Sequence, residues 1–135
     1  MSKVNEFILG HPQAVLTTHR RDGGLQMSPI RVLVDAQGAI VATTRAATAK
    51  AKNLLRQSDC AICLMTEGWQ GPWLTIEATA EVLTLPLALA GLRELYLQRD
   101  GVVASPEDFA EAMAAEGRVL LRFTATRVGG TAETD

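Results

Sequence analysis

Apolar and polar positions change period several times along the chain, and each change marks an element. Residues 2–9 read as a short helix that Ser2 can cap, Gly10 can end and Pro12 cannot continue. Ala14–His19 then reads as a strand, and Arg20-Arg21-Asp22-Gly23-Gly24 as a turn, because Asp-Gly and Gly-Gly supply positive φ. Leu25–Val34 returns as a second strand, Asp35-Ala36-Gln37-Gly38 turns again, and Ala39–Thr44 is a third strand. Short links between these three predict an antiparallel meander. Pro29 cannot donate to a ladder, so the second strand is either an edge or bulged there.

From Arg45 to Gln57 the period becomes helical, with Ala47, Ala51, Leu54 and Leu55 on one stripe. Cys60–Thr66 is apolar at nearly every position, which predicts a strand covered on both faces. After the loop Glu67–Pro72, Trp73–Leu83 alternates: Leu74, Ile76, Ala78, Ala80 and Val82 face in, and Thr75, Glu77, Thr79 and Glu81 face out. A helix runs from Pro86 to about Arg99 and breaks at Asp100-Gly101. Ser105-Pro106-Glu107-Asp108 starts another helix that ends at Gly117. Arg118–Val128 is the last strand. The pattern therefore predicts one domain over 1–130 with a flexible tail at 131–135. It is mainly β with short helices: six strands, mostly antiparallel, closed into a small barrel that leaves few edges. A two-sheet α+β sandwich is the alternative.

Composition narrows the function classes. The chain has 135 residues, enough for one core without disulfides or metal. A net charge of −2 argues against nucleic-acid binding by bulk charge. No apolar run reaches the ~18 residues of a membrane span, and the first residues lack a signal core. A cytoplasmic protein without membrane or nucleic-acid partners is expected. Cys60 and Cys63 form a C-x-x-C with no second ligand pair, so no metal site is expected; in a strand they point to opposite faces, which favours a structural role.

Against this acidic background, Thr43–Arg56 carries Arg45, Lys50, Lys52 and Arg56 and no acid. It spans a strand end and a helix start, where free N–H groups attract anions, and its threonines add donors. These parts suit a phosphate; the alternative is a solvated cationic helix face. Trp69 and Trp73 flank Gly68, Gly71 and Pro72, and such a loop either covers a flat ring or packs into a core or interface. His11 and His19 have no carboxylate or cysteine partner by spacing, and Ser28 lies in no nucleophile elbow. No catalytic set emerges. A phosphate cradle without acid, base or nucleophile points to a cofactor that carries the chemistry.

Several segments, in order, resemble the flavin and deazaflavin oxidoreductases of the pyridoxamine-phosphate-oxidase-like split β-barrel. They are Ala14–Thr18, Asp22-Gly23, Gln26-Met27-Ser28-Pro29-Ile30, Thr44-Arg45 through Lys50–Leu54, Trp73–Ala78 and Arg118–Phe123. The chain is most similar to the short branch that uses the deazaflavin coenzyme F420. The resemblance implies a split barrel that forms a homodimer with the cofactor at the interface. It places Gln26, Met27, Ser28, Pro29 and Ile30 along the tricyclic ring. It places Thr44, Arg45, Lys50, Ala51 and Lys52 at the phosphate and the start of the polyglutamate tail. Trp73 and its loop would approach the ring from the partner subunit. The implied activity is hydride transfer to an unsaturated small molecule such as an enone, quinone or tetrapyrrole bridge. FMN in the same cradle, or a non-enzymatic cofactor- or haem-binding role, are the alternatives. The chain ends Arg127-Val128-Gly129-Gly130 and then a polar stretch, without the arginine-rich C-terminal motif of enzymes that oxidise vitamin B6.

Overall fold

The computed structural model describes residues 2–134. Among them the elements run α1 (Lys3–Gly10), β1 (Gln13–His19), β2 (Leu25–Arg31), β3 (Leu33–Val34), β4 (Ile40–Arg45), α2 (Ala49–Arg56), β5 (Asp59–Met65), β6 (Trp73–Leu83), α3 (Leu89–Asp100), α4 (Pro106–Glu116) and β7 (Arg118–Gly130). The strands form one sheet in the order β2-β1-β5-β6-β7-β4-β3, with every neighbouring pair antiparallel. The fold is mainly β with short helices, as the pattern predicts, and the sheet curls into the split barrel.

There are seven strands among the described residues, not six, because the predicted second strand breaks at Val32. Leu25–Arg31 pairs with β1, whereas Leu33–Val34 pairs with β4. The expected meander is thus two hairpins at opposite ends of the sheet. Val32 itself is fully buried, and its N–H donates to the Pro12 carbonyl at 2.9 Å. This joint dictates the curl. A flat sheet of seven strands would hold its outer strands roughly 29 Å apart, at about 4.8 Å per neighbour. Arg31 and Leu33 are two Cα steps apart, at most about 7 Å. The sheet has to bend round until its ends meet.

Positive-φ glycines close the two hairpins, Gly23 at +88° and Gly38 at +84°. The predicted helix start at Ser105 is present: its hydroxyl accepts from the Asp108 N–H at 3.3 Å, Pro106 is the first helical residue, and Gly117 ends α4 in the left-handed region at +65°. Pro29 lies on β2, an end strand, and the ladder's register shift falls instead between Glu77 and Ala78 where β6 meets β7.

Two apolar clusters hold the chain. The barrel interior packs Leu16, Ile62, Ile76 and Leu121 with Ile8 of α1 and Leu54 of α2. Outside the barrel, α3 and α4 pack Leu92, Leu95, Phe109 and Met113 on Leu33, Val41 and Leu120. The strands covered on both faces are therefore β3, β4 and the first half of β7. The same expectation for β5 does not hold within the chain: Cys60, Ile62 and Leu64 are buried, while Ala61, Cys63 and Met65 are half-exposed. The two cysteines are free and face opposite ways, and burial, with a smaller contribution from Asp59, pushes the Cys60 thiol up to about 12.

The segment set apart as a tail, 131–135, makes contacts through Glu133. The N–H groups of Thr131 and Ala132 both donate to the Trp73 carbonyl, Ala132 is buried, and Glu133 pairs with Lys3 at 2.9 Å. Its last residue lies outside the described ones. No helix among the described residues is long and apolar enough to cross a membrane.

Leu16 and Ile62 face each other across β1 and β5, both fully buried. Ile62→Ala should cost about 2–5 kcal/mol of stability, the range for a buried aliphatic truncated to alanine. Leu87→Ala, at a side chain that is 83% exposed, should change stability by less than about 0.5 kcal/mol. Chemical denaturation measures both.

Candidate functional site

Closing the sheet brings the free edge of β2 alongside the start of α2. Hydrogen bonds fix that approach. Asn53 Nδ2 donates to the buried Thr18 Oγ1 of β1 at 3.1 Å, and Thr18 Oγ1 donates to Gln26 Oε1 of β2 at 3.4 Å. Arg56 donates to Asn53 Oδ1 at 3.0 Å and to the His19 carbonyl at 2.6 Å. Ala51 and Leu54 add apolar burial beneath the helix. The helix is thus pinned at its buried face, and its first turn stands over β2.

Thr48 caps α2: its hydroxyl oxygen accepts from the Ala51 N–H at 3.3 Å and donates to the Arg45 carbonyl at 2.9 Å. Thr44 Oγ1, buried at the end of β4, meets Thr48 Oγ1 at 3.1 Å. With that proton committed to Arg45, Thr44 is the donor of the pair. The N–H groups of Ala49 and Lys50, the first two of the helix, are left directed out of its end. Lys50 reaches back so that Nζ donates to the Pro29 carbonyl at 3.4 Å. Desolvation holds its ammonium below the ordinary lysine value. Ser28 Oγ is buried without a hydrogen-bond partner. A donor set of helix N–H groups, a desolvated ammonium and an orphaned hydroxyl suits an anion carrying several oxygens.

The expected site residues divide by location. Alternation along β2 sends Gln26, Ser28 and Ile30 to the α2 side and Met27 and Pro29 to the opposite face, so the five present two surfaces rather than one. Ile30 and Ala51 are buried in the core, which leaves only their backbone for a ligand. Lys50 meets the Pro29 carbonyl, next in the chain to Ser28, and Thr44 meets Thr48 at the helix start. Arg45 is exposed and lies 4.0 Å from Glu116, which itself holds Arg118 at 2.9 Å. Lys52 is exposed on α2. Trp73 stands three strands away from β2, paired with Met65 and 42% exposed. Thr48 was not among the expected residues; its signal was a threonine directly before a helical stripe. His19, partnerless by spacing, has Asp59 at 3.1 Å, because β1 and β5 are adjacent.

Residues 1–132 match the family model described as pyridoxamine 5'-phosphate oxidase. No curated protein sequence matches the chain. Among solved structures, a conserved hypothetical protein from Mycobacterium tuberculosis is 22% identical with a TM-score of 0.77, over 96% of this chain and 82% of that one. A structure titled F420 reductase is 21% identical with a TM-score of 0.68, over 92% of this chain and 94% of that one. The haem storage protein from Vibrio cholerae is 15% identical with a TM-score of 0.73, over 94% of this chain and 91% of that one. At these identities the likeness is one of fold.

Thr48→Ala removes the cap and frees three partners at once. It should cost about 0.5–2 kcal/mol, and Thr48→Ser should recover most of it. Thermal unfolding of the two variants beside the wild type tests this.

Proposed function

The chain belongs to the pyridoxamine 5'-phosphate oxidase family, a flavin-binding family, and from that premise we propose that it is an F420-dependent reductase of an unsaturated small molecule. The observation that carries the reading is the bond from Lys50 Nζ, in the first turn of α2, to the Pro29 carbonyl on the free edge of β2, next in the chain to Ser28, whose buried Oγ has no partner. Those groups fit a cofactor that joins a phosphate to a flat ring. The deazaflavin is preferred to FMN on the sequence's resemblance to the short F420-dependent branch, and one protein of like fold is an F420 reductase.

In this reading Lys50 and the α2 N–H groups hold the phosphate, and Ser28 supplies the hydroxyl that its own fold leaves unused. Met27 and Pro29 border the ring, with the β2 backbone orienting it. Arg45 and Lys52 lie beyond the phosphate, placed for the carboxylates of a polyglutamate tail. When bound, the reduced deazaflavin supplies a hydride to an electron-poor double bond, and solvent supplies the proton that completes the reduction. The chain's part is to bind, orient and exclude water.

The uncovered sheet face supports a homodimer. Val15, Met27, Cys63, Met65 and Trp73 lie on it, with Met27 63% exposed, and a second copy covers such a face. In that dimer Trp73 reaches the ring held by the other protomer. FMN remains the second reading, favoured by the family itself. A titration in which FMN binds tightly and F420 does not would establish it and end the F420 proposal.

Lys50→Ala should weaken F420 binding by about 1.5–3 kcal/mol, the range for a hydrogen bond to a charged group, or roughly ten- to a hundred-fold. Arg93→Ala, on the far side of the barrel beside Phe109, should leave affinity unchanged. The pH dependence has a definite sign. The anion favours charged Lys50, whose pKa lies below 10.5, so wild-type affinity should fall as pH rises through that lowered value. Lys50→Ala should show no such step. Fluorescence titration across pH measures both effects; equal affinity in wild type and Lys50→Ala would reduce the basic segment to a solvated helix face.

A further inference from the structure

A second concavity lies where α1 ends, β1 begins and the Trp69 loop arches over. It encloses about 510 Å³, within the ~300–1,000 Å³ typical of small-molecule sites. Val15, Pro29 and Met65 form apolar walls; Val15 and Met65 belong to the sheet face assigned above to a second copy, so in the proposed dimer the partner borders this cleft. Pro29 is shared with the cradle: its carbonyl receives Lys50 while the residue lines this cleft. A molecule here is therefore next to whatever lies along β2.

Two features select the ligand. Trp69 lines the cleft, 77% exposed and with its backbone at φ +65°, a left-handed conformation that bulky residues rarely adopt. That conformation sets a broad flat surface at the cleft. Arg31 follows Pro29 on the same face of β2 and lines the cleft with no hydrogen bond or ion pair among the described residues. The nearby acid whose carboxyl it influences, Asp100, is already held by Arg99 at 2.9 Å. The opposing charge in the lining is Glu67, carried on the loop rather than on a strand. The imidazole of His11, packed on the Phe7 ring at 4.8 Å, completes the polar side. A guanidinium fork anchored on a strand, with an indole in the same lining, suits a flat anion.

We propose that this cleft binds a flat, conjugated molecule carrying one anionic group, oriented by Arg31 and covered by Trp69. Resting on the function proposed above, that molecule is the hydride acceptor, and Arg31 and Trp69 determine specificity.

Two probes with one ring frame test it: 8-anilinonaphthalene-1-sulfonate, and its uncharged counterpart N-phenyl-1-naphthylamine. In a full-length Trp73→Phe protein, Trp69 is the single tryptophan, so quenching of its emission reports probe binding, and the variants locate it. The sulfonate should bind about tenfold more tightly than the neutral probe, the worth of one charge-assisted hydrogen bond. Arg31→Gln should abolish that difference, Glu67→Gln should enlarge it, and Lys50→Ala should leave it unchanged. Equal affinities in the parent protein, or a preference that survives Arg31→Gln, would overturn the proposal. So would a preference lost in Lys50→Ala, which would put the probe in the cradle. F420 is not in the assay: failure of F420 to bind in its own titration, with Arg31-dependent sulfonate binding intact, would remove the cofactor reading and leave the cleft standing.

Discussion

The one-residue joint at Val32 governs the molecule. Two strands consecutive in the chain occupy opposite ends of the sheet, so the sheet has to curl until those ends meet. The burial of Val32 and its bond to Pro12 hold the joint in place. The free edge of β2 is then directed at α2 rather than at solvent, and a proline on that edge loses nothing by lacking an N–H. An edge strand is normally a template for unwanted pairing. Here the helix beside it also carries the cations.

The region between β2 and α2 is stable in its frame and unsatisfied at its centre. The frame is well bonded: Asn53, Thr18, Gln26 and Arg56 link helix to strands, and Thr48 caps its own helix while donating to the end of β4. At the centre are a desolvated lysine whose contact is a long bond to a carbonyl, two helix N–H groups and a hydroxyl without a partner. A buried unmade hydrogen bond costs about 1–3 kcal/mol, so these groups gain from an anion more than exposed ones would. Because the frame is held by these bonds, an arriving ligand meets preorganised donors.

Much of the fold was legible. Strict alternation from Leu74 to Ala80 gave the face of β6, Asp22-Gly23-Gly24 gave the first hairpin, and Ser105-Pro106 gave the start of α4, because each rests on local stereochemistry. The break at Val32 was not legible, since Ile30, Val32 and Val34 continue an alternation that a single strand would also show. Pairing partners, not periodicity, split it. The two-faced burial of β4 was missed for the same reason: Val41 and Leu120 are apolar on account of α3 and α4, which lie far along the chain. In the site, the cation cluster and helix start were visible as composition. The contacts of Lys50 with Pro29, and of His19 with Asp59, depend on strands meeting in space. The cleft under Trp69 was visible only as an aromatic loop, because Arg31, Met65 and His11 come from three other segments.

The central claim is that an anionic cofactor docks on the first turn of α2 beside β2. Amide chemical-shift mapping of the 15N-labelled chain during addition of F420 tests it most directly. The largest shifts should fall on the N–H groups of Ala49 and Lys50 and on Ser28, with Arg93 and the rest of α3 unmoved. Shifts confined to other surfaces, with the start of α2 silent, would contradict it.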